Sequence, residues 1–255
     1  MLPPVQMLWY GKPLSSLERL SIVSFLHHGH DVHLYVYGTV ENVPTGVTMC
    51  DASEIIPERE MHALRDRGVP PGVFSDYWRY ALLNQRGGWW VDADVVCVRP
   101  FEFGSDIVFA YQDEQTINGA VLRLPAGHFV LDGLLDTCVR PNRWREGDTW
   151  RGRTRKVVNR LRGRGLEAAY WGSTGPNALT AAAHKHDLLM HALPPAAFYP
   201  VPWTDWRVLC DPGDLELGPD SYAIHTWNEM WRRSGVDAPE PGSPLARLMS
   251  RYLEP

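Results

Sequence analysis

Long apolar runs are absent from this 255-residue chain. No segment reaches the roughly 18 consecutive apolar residues of a membrane-spanning helix. The opening Met1-Leu2-Pro3-Pro4 also lacks the layout of a signal peptide. Cysteine is scarce: Cys50, Cys97, Cys138 and Cys210 are widely scattered, and no C-x-x-C pair occurs, which argues against a structural zinc site. They read as buried thiols in a reducing cytoplasm, with peripheral contact at the inner membrane face left open. Positive charge is lacking as well. A net charge of −5 excludes a general nucleic-acid binder, since phosphate backbones call for a Lys/Arg excess. Glycine-rich phosphate loops are missing: neither G-x-G-x-x-G nor G-x-x-x-x-G-K-[ST] appears, nor a G-x-S-x-G elbow.

What is present is apolar mass. Apolar residues make up 44% of the chain, enough for a sizeable core, and most of the eleven tryptophans are expected there. Flat aromatic faces beside polar loops also suit sugar rings. Residues 5–10, 32–37 and 47–50 read as strands, with a helix over 14–28 between the first two. That order points to a mostly parallel α/β sheet. A helix over 73–86 follows, capped by Gly87. Further strands are expected at 107–111, 117–124 and 222–225, and helices at 128–139, 149–161, 177–186 and 244–252. The one basic stretch, residues 140–164, reads by default as a solvated helix face or loop. Its functional alternative is a surface for an anionic acceptor, lipid phosphate included.

Asp92-Ala93-Asp94 closes the apolar run after Gly87-Gly88-Trp89-Trp90-Val91. Read as a strand, residues two apart point to one side, so both carboxylates face one cleft and Ala93 leaves room between them. Two hard oxygen ligands close together suit Mg²⁺ or Mn²⁺. Such a cation screens a diphosphate and stabilises it as a leaving group. The bland alternative is a turn with capping aspartates.

Other residues extend the pattern. Asp76 and Arg79, three apart on the predicted helix, are either a surface ion pair of little worth or a sugar-hydroxyl clamp beneath the metal site. Asn118-Gly119 is either a plain turn or a donor–acceptor amide beside a backbone of close approach. The metal needs a ligand beyond two aspartates, and His225 with Asn228 is the best supply in the second half. His27, His28, His30 and His33 straddle a helix end and a strand start, so they read as structural. Trp203, Asp205 and Trp206, polar and aromatic in one loop, are assigned to the acceptor side.

With these residues in hand, the chain resembles the D-x-D glycosyltransferases of family 32, and more distantly the catalytic domains of large clostridial glucosylating toxins. The resemblance rests on Phe74-Ser75-Asp76-Tyr77-Trp78-Arg79-Tyr80-Ala81-Leu82-Leu83 followed by Gly87-Gly88-Trp89-Trp90-Val91-Asp92-Ala93-Asp94. Weaker matches are Trp9-Tyr10-Gly11, Ile117-Asn118-Gly119, Gly175-Pro176-Asn177-Ala178-Leu179-Thr180 and His225-Thr226-Trp227-Asn228.

The resemblance implies a GT-A-type nucleotide-diphospho-sugar transferase fold, a UDP- or GDP-sugar donor, a carbohydrate or lipid-linked acceptor, Mn²⁺ or Mg²⁺, and retention of anomeric configuration. By it, Asp92 meets ribose and metal, and Asp94 binds metal. Asp76, Arg79, Asn118 and Gly119 hold the donor sugar. His225 and Trp227 close over the diphosphate, and Trp9 and Tyr10 meet the base. Residues 1–255 then form one domain, with donor binding in about 1–125 and acceptor loops in about 126–255. Asp113 and Glu114 are the candidates if a protein nucleophile exists. Two rival readings remain: a haloacid dehalogenase-type phosphatase with Asp92 as nucleophile, and a non-catalytic sugar-binding module.

Overall fold

The computed structural model describes the chain apart from residues 1, 12, 146–147, 171 and 254–255. In chain order its strands and α-helices are β1 (Val5–Trp9), α1 (Ser16–His27), β2 (Val32–Val36), β3 (Thr48–Asp51), α2 (Glu58–Asp66), α3 (Pro71–Arg86), β4 (Gly88–Val91), β5 (Val95–Cys97), β6 (Val108–Tyr111), β7 (Ile117–Leu124), α4 (Phe129–Val139), α5 (Trp150–Leu161), α6 (Pro176–Lys185), β8 (Ala192–Leu193), α7 (Arg207–Cys210), β9 (Ala223–His225), α8 (Asn228–Ser234) and α9 (Pro244–Leu253).

Seven strands form one sheet in the order β3-β2-β1-β4-β7-β6-β8. The pairs β2–β3, β1–β2, β1–β4 and β6–β8 are parallel; β4–β7 and β6–β7 are antiparallel. The expected α/β fold with a mostly parallel sheet is thus present. Neighbouring side chains in a strand point to opposite faces, and β4 uses this fully. Trp89 packs with Phe101 and Phe103 in the core on one face, while Trp90 meets Trp78 in the core on the other. Both indoles are fully buried, so β4 is locked from both sides.

β9 was expected as a strand over 222–225, but β5, β8, α7 and α8 were not expected. β5 and β9 form a separate antiparallel ribbon, pairing Val95 with His225 and Cys97 with Ala223. At three residues each, they carry too little periodicity to be read as partners. α8 starts directly after it, where the sequence reads as loop. The ribbon is also clamped to α1: Ser21 Oγ donates to Val95 O at 2.7 Å, and Cys97 N donates to Ser24 Oγ at 2.8 Å. α1 itself begins with a full capping box, Ser15 accepting from Leu17 N and Glu18 reaching back to Ser15 N at 2.7 Å.

Three of the four histidines near α1 make packing contacts within the chain. His30 is buried, with Nδ1 3.2 Å from Pro3 O and Nε2 accepting from Phe101 N at 3.0 Å. His27 and His28 pack on Tyr252. All four cysteines are free thiols.

Because Ser24 is wholly buried, Ser24→Ala leaves the Cys97 N–H without its acceptor. The expected cost is about 1–3 kcal/mol, read as a lower urea midpoint with an unchanged slope.

Candidate active site

α3 opens with Pro71 in its first turn, where the missing N–H costs nothing, and ends at Gly87 with φ of 65°. Asp76 and Arg79 lie one turn apart on its inward face. β4 then delivers Asp92, whose N–H donates to Ala120 O of β7 at 2.8 Å. Asp92 and Asp94 do not continue the strand. They sit in a tight turn, closed by Val95 N donating to Asp92 O at 3.2 Å, that joins β4 to β5. The turn, not strand alternation, brings the two carboxylates to one side.

The far half of the chain completes the cluster. β9 places His225 opposite Val95, and its Nε2 lies 3.4 Å from Asp94 Oδ1. Thr226 then fixes the turn twice, its N–H and its Oγ both donating to Asp94 O at 2.9 Å. Asn228 N donates to Asp94 Oδ2 at 3.1 Å. To make that approach Trp227 takes a left-handed conformation, φ 58°, which costs a non-glycine residue about 1–2 kcal/mol. Its indole is held by Val201 O, which accepts from Nε1 at 2.9 Å, and it stands edge-on to the His225 ring. Ligand atoms of Asp92, Asp94 and His225 all lie within 4.8 Å of one another. His225 Nδ1 is buried and has no hydrogen-bond partner among the described residues.

Arg79 forms the floor. Its Nη2 lies 3.3 Å from Asp76 Oδ1 and 3.2 Å from Asp92 Oδ1, and its guanidinium lies over Trp90. Asp76 Oδ2 accepts from Thr174 Oγ1 at 2.7 Å. Asp92 Oδ1 also accepts from Trp90 Nε1 at 2.7 Å. Exposure rises from the floor to the mouth: the Arg79 side chain is 7% exposed, Asp94 19% and Asp92 25%. The open end is therefore the one with the carboxylates. Burial pushes the Asp76 carboxyl up to about 6, against Arg79 and Thr174. Burial likewise holds Asp92 above the ordinary carboxylate range, with Arg79 opposing and Asp94 adding to it. Burial also works against Asp94, but the His225 ring and the Asn228 N–H outweigh it and hold that carboxyl below its usual value.

Two glycines make this packing possible. A Cβ on Gly175 would lie 2.8 Å from both Asp76 oxygens, and one on Gly119 would lie 2.7 Å from Arg79 Nη1. Gly119 was expected to let a ligand approach the backbone; the group that approaches is Arg79. Asn118 is committed within the chain: Nδ2 donates to Gln112 Oε1 at 2.7 Å, and Oδ1 accepts from Ala120 N at 2.8 Å. The Asn228 amide lies 3.4 Å from Glu18 of α1, while its backbone serves Asp94.

Tyr10 packs edge-on against Tyr37 and Phe74, and Trp9 is half-buried at the end of β1. The acceptor trio divides. Trp203 and Asp205 are exposed, but Trp206 is 5% exposed and packs in the core, so it offers no ring to an acceptor. Asp113 is used by its own loop, accepting from Gln115 N and Thr116 N, so it is not poised as a nucleophile; Glu114 is exposed beside it. Sequence reading missed Thr174, although it directly precedes the Gly175-Pro176-Asn177 match. It also missed Tyr199, a buried ring against His225 whose hydroxyl lies 3.4 Å from Asn118 O. Nothing in its surroundings in sequence marks it.

A mostly parallel α/β sheet carrying an acidic turn beside a helix-borne Asp–Arg pair is the build of a GT-A-type glycosyltransferase. Residues 51–114 match the model of the glycosyltransferase sugar-binding region containing the DXD motif, and residues 167–252 that of the alpha 1,4-glycosyltransferase conserved region. The resemblance to D-x-D glycosyltransferases is thereby shown.

Among curated proteins, the chain is 28% identical over 196 residues to lactosylceramide 4-alpha-galactosyltransferase of Rattus norvegicus, covering 71% of this chain and 47% of that protein. It is 24% identical over 172 residues to alpha-1,4-N-acetylglucosaminyltransferase of Homo sapiens, covering 62% and 43%. The chain thus spans about half the length of these relatives. Among solved structures, the PaToxG glycosyltransferase superposes with a TM-score of 0.52 at 14% identity, over 74% of this chain and 70% of that one, a likeness of fold.

Gly175→Ala forces a methyl against both Asp76 oxygens. Stability is expected to fall by about 1–3 kcal/mol, seen as a lower melting temperature, while Gly213→Ala, with open space around it, leaves the melt unchanged.

Proposed function

We propose that the chain is a metal-dependent, retaining glycosyltransferase that moves a hexose from a UDP- or GDP-sugar to the hydroxyl of a glycan, glycolipid or other small acceptor. The observation that carries this reading is the convergence of Asp92, Asp94 and His225 beside the buried Asp76–Arg79 pair. The name of one relative, which acts on lactosylceramide, favours a glycolipid among the acceptors.

The residues present fit a divalent cation. Two carboxylates and an imidazole, one ring nitrogen of it buried without a partner, suit Mn²⁺ better than Mg²⁺, which prefers oxygen alone. When bound, the ion supplies charge neutralisation for the leaving diphosphate. The protein's part is positioning. Asp94 is already held ionised by the Asn228 N–H and His225. Arg79, pinned between two carboxylates, orients Asp76 towards the donor sugar, and Trp227 with His225 closes over the phosphates. Trp9 and Tyr10 at the end of β1 take the base.

In the transfer, the bond between the sugar C1 and the diphosphate oxygen breaks. The acceptor oxygen bonds C1 from the same face, and its proton passes to the departing phosphate oxygen. This route needs no protein nucleophile, in keeping with Asp113 being used by its loop.

We read residues 1–255 as one catalytic domain. The donor site draws on both halves, through Thr174 and His225, so a division near residue 125 is one of emphasis. Four unpaired cysteines favour a reducing cytoplasmic setting.

Asp94→Ala is expected to lower nucleoside diphosphate release from a UDP-sugar by at least about 100-fold while the circular dichroism spectrum and melt stay near those of the parent. A chelator should reproduce the loss in the parent, and Mn²⁺ should restore it there alone. Trp203→Ala is expected to raise acceptor KM several-fold and leave donor hydrolysis unchanged; an unchanged KM refutes the acceptor assignment of this loop.

A further inference from the structure

Ten of the chain's 25 basic residues lie between Arg140 and Arg164, with only Glu146 and Asp148 against them. This local excess of eight positive charges sits in a chain whose net charge is −5. The helix at its centre, α5, is amphipathic in an unusual sense, because its apolar stripe faces outward. Trp150, Val157, Val158 and Leu161, with Thr154 among them, fall at i, i+7, i+8, i+11 and i+4, which is one helix face. All are exposed, Trp150 by 73% and Leu161 by 82%. The opposite face is the inward one: Asn159 is buried, and Lys156 pairs with Asp148 at 2.7 Å.

Arginines border the outward stripe on both sides. Arg151, Arg155 and Arg162 form one flank; Arg153 and Arg160 form the other. Among the described residues none of these five has an acidic partner, whereas Arg140, Arg143 and Arg145 are spent on Asp136. A solvated helix turns its apolar residues inward; α5 turns its stripe outward beside exposed arginines, at a cost in water.

We infer that α5 docks the protein on an anionic lipid bilayer surface, with Trp150, Val157, Val158 and Leu161 entering the headgroup boundary and the flanking arginines binding lipid phosphates. A stripe of apolar residues rimmed by cations is what such an interface selects. Long arginine stems lie along the acyl boundary while their heads stay with phosphate. A second copy of the chain is a poor occupant: a two-fold contact through this face would set the two arginine rims against each other.

The orientation has a use. A groove of about 1640 Å³ runs from α5 to Thr174, lined among others by Trp144, Arg151, Arg155, Tyr170 and Asn177. Thr174 is the residue that donates to Asp76. Docking through α5 therefore sets the groove between the bilayer and the candidate site. The docking itself does not depend on the catalytic reading, and its test is free of activity.

The test is sedimentation of the full chain with vesicles of phosphatidylcholine alone or of equal parts phosphatidylcholine and phosphatidylglycerol. The parent should partition onto the anionic vesicles at least about 10-fold more strongly than onto neutral ones. Trp150→Ser/Leu161→Ser, which keeps every charge, and Arg151→Glu/Arg162→Glu, which keeps the stripe, should each weaken that partition about 10-fold. All four positions are exposed, and unchanged melts would exclude unfolding as the cause. Equal binding of the parent to both vesicle types overturns the inference. So does parent-like binding by the serine variant, or a concentration-dependent dimer that the serine variant dissociates.

Discussion

Arg79 is the charge on which the site balances. Its guanidinium stands between Asp76 and Asp92, over the indole of Trp90 and against a glycine that leaves it room. A buried ion pair is weak as a source of stability, but removing one partner strands the other at a cost of several kcal/mol. Here one cation serves two carboxylates, so their spacing is set from below by a side chain that the substrate need not touch. The raised pKa of Asp76 and of Asp92 is the other side of that arrangement: both are held where burial disfavours charge, and a single guanidinium opposes that penalty in part.

Above this floor, geometry comes from the β5–β9 ribbon. Three residues of β5 are gripped by β9 on one edge and by two buried serines of α1 on the other. The ribbon is held on both edges and the turn that precedes it is held with it, so Asp94 meets the ring of His225 and the N–H of Asn228 in one place. The left-handed Trp227 is the strained link that lets the chain turn from β9 into α8 within two residues. Strain of this kind persists where surrounding bonds over-determine it, and the Thr226 and Trp227 hydrogen bonds do so here.

Most of the sheet was legible because its strands are bounded by turn residues and alternate against helices of clear period; β7 was read to the residue. The pairing of Asp76 with Arg79 was legible from spacing, and the D-x-D residues from their setting. Three things were not. The D-x-D carboxylates converge through a turn that strand logic does not describe. Asn118 and Gly119 serve the protein's own Gln112 and Arg79, a use that only tertiary packing reveals. Trp206 reads like Trp203 in sequence yet lies in the core, since a loop's composition says nothing of which aromatic turns inward. The same limit applied to α5, whose charges were plain but whose apolar stripe gained meaning only once the helix was seen to turn it outward.

Asp94 and Asn228 stand 134 residues apart in the chain, and their contact closes the cluster. During synthesis the D-x-D turn emerges well before its imidazole, and a pairing this distant forms late because so long a loop must first be closed. The nascent amino-terminal half therefore carries two acidic side chains with no histidine to complete them. The cluster comes into being only when the segment carrying His225 and Asn228 folds back onto the D-x-D turn, so its presence reports that these two distant segments have met.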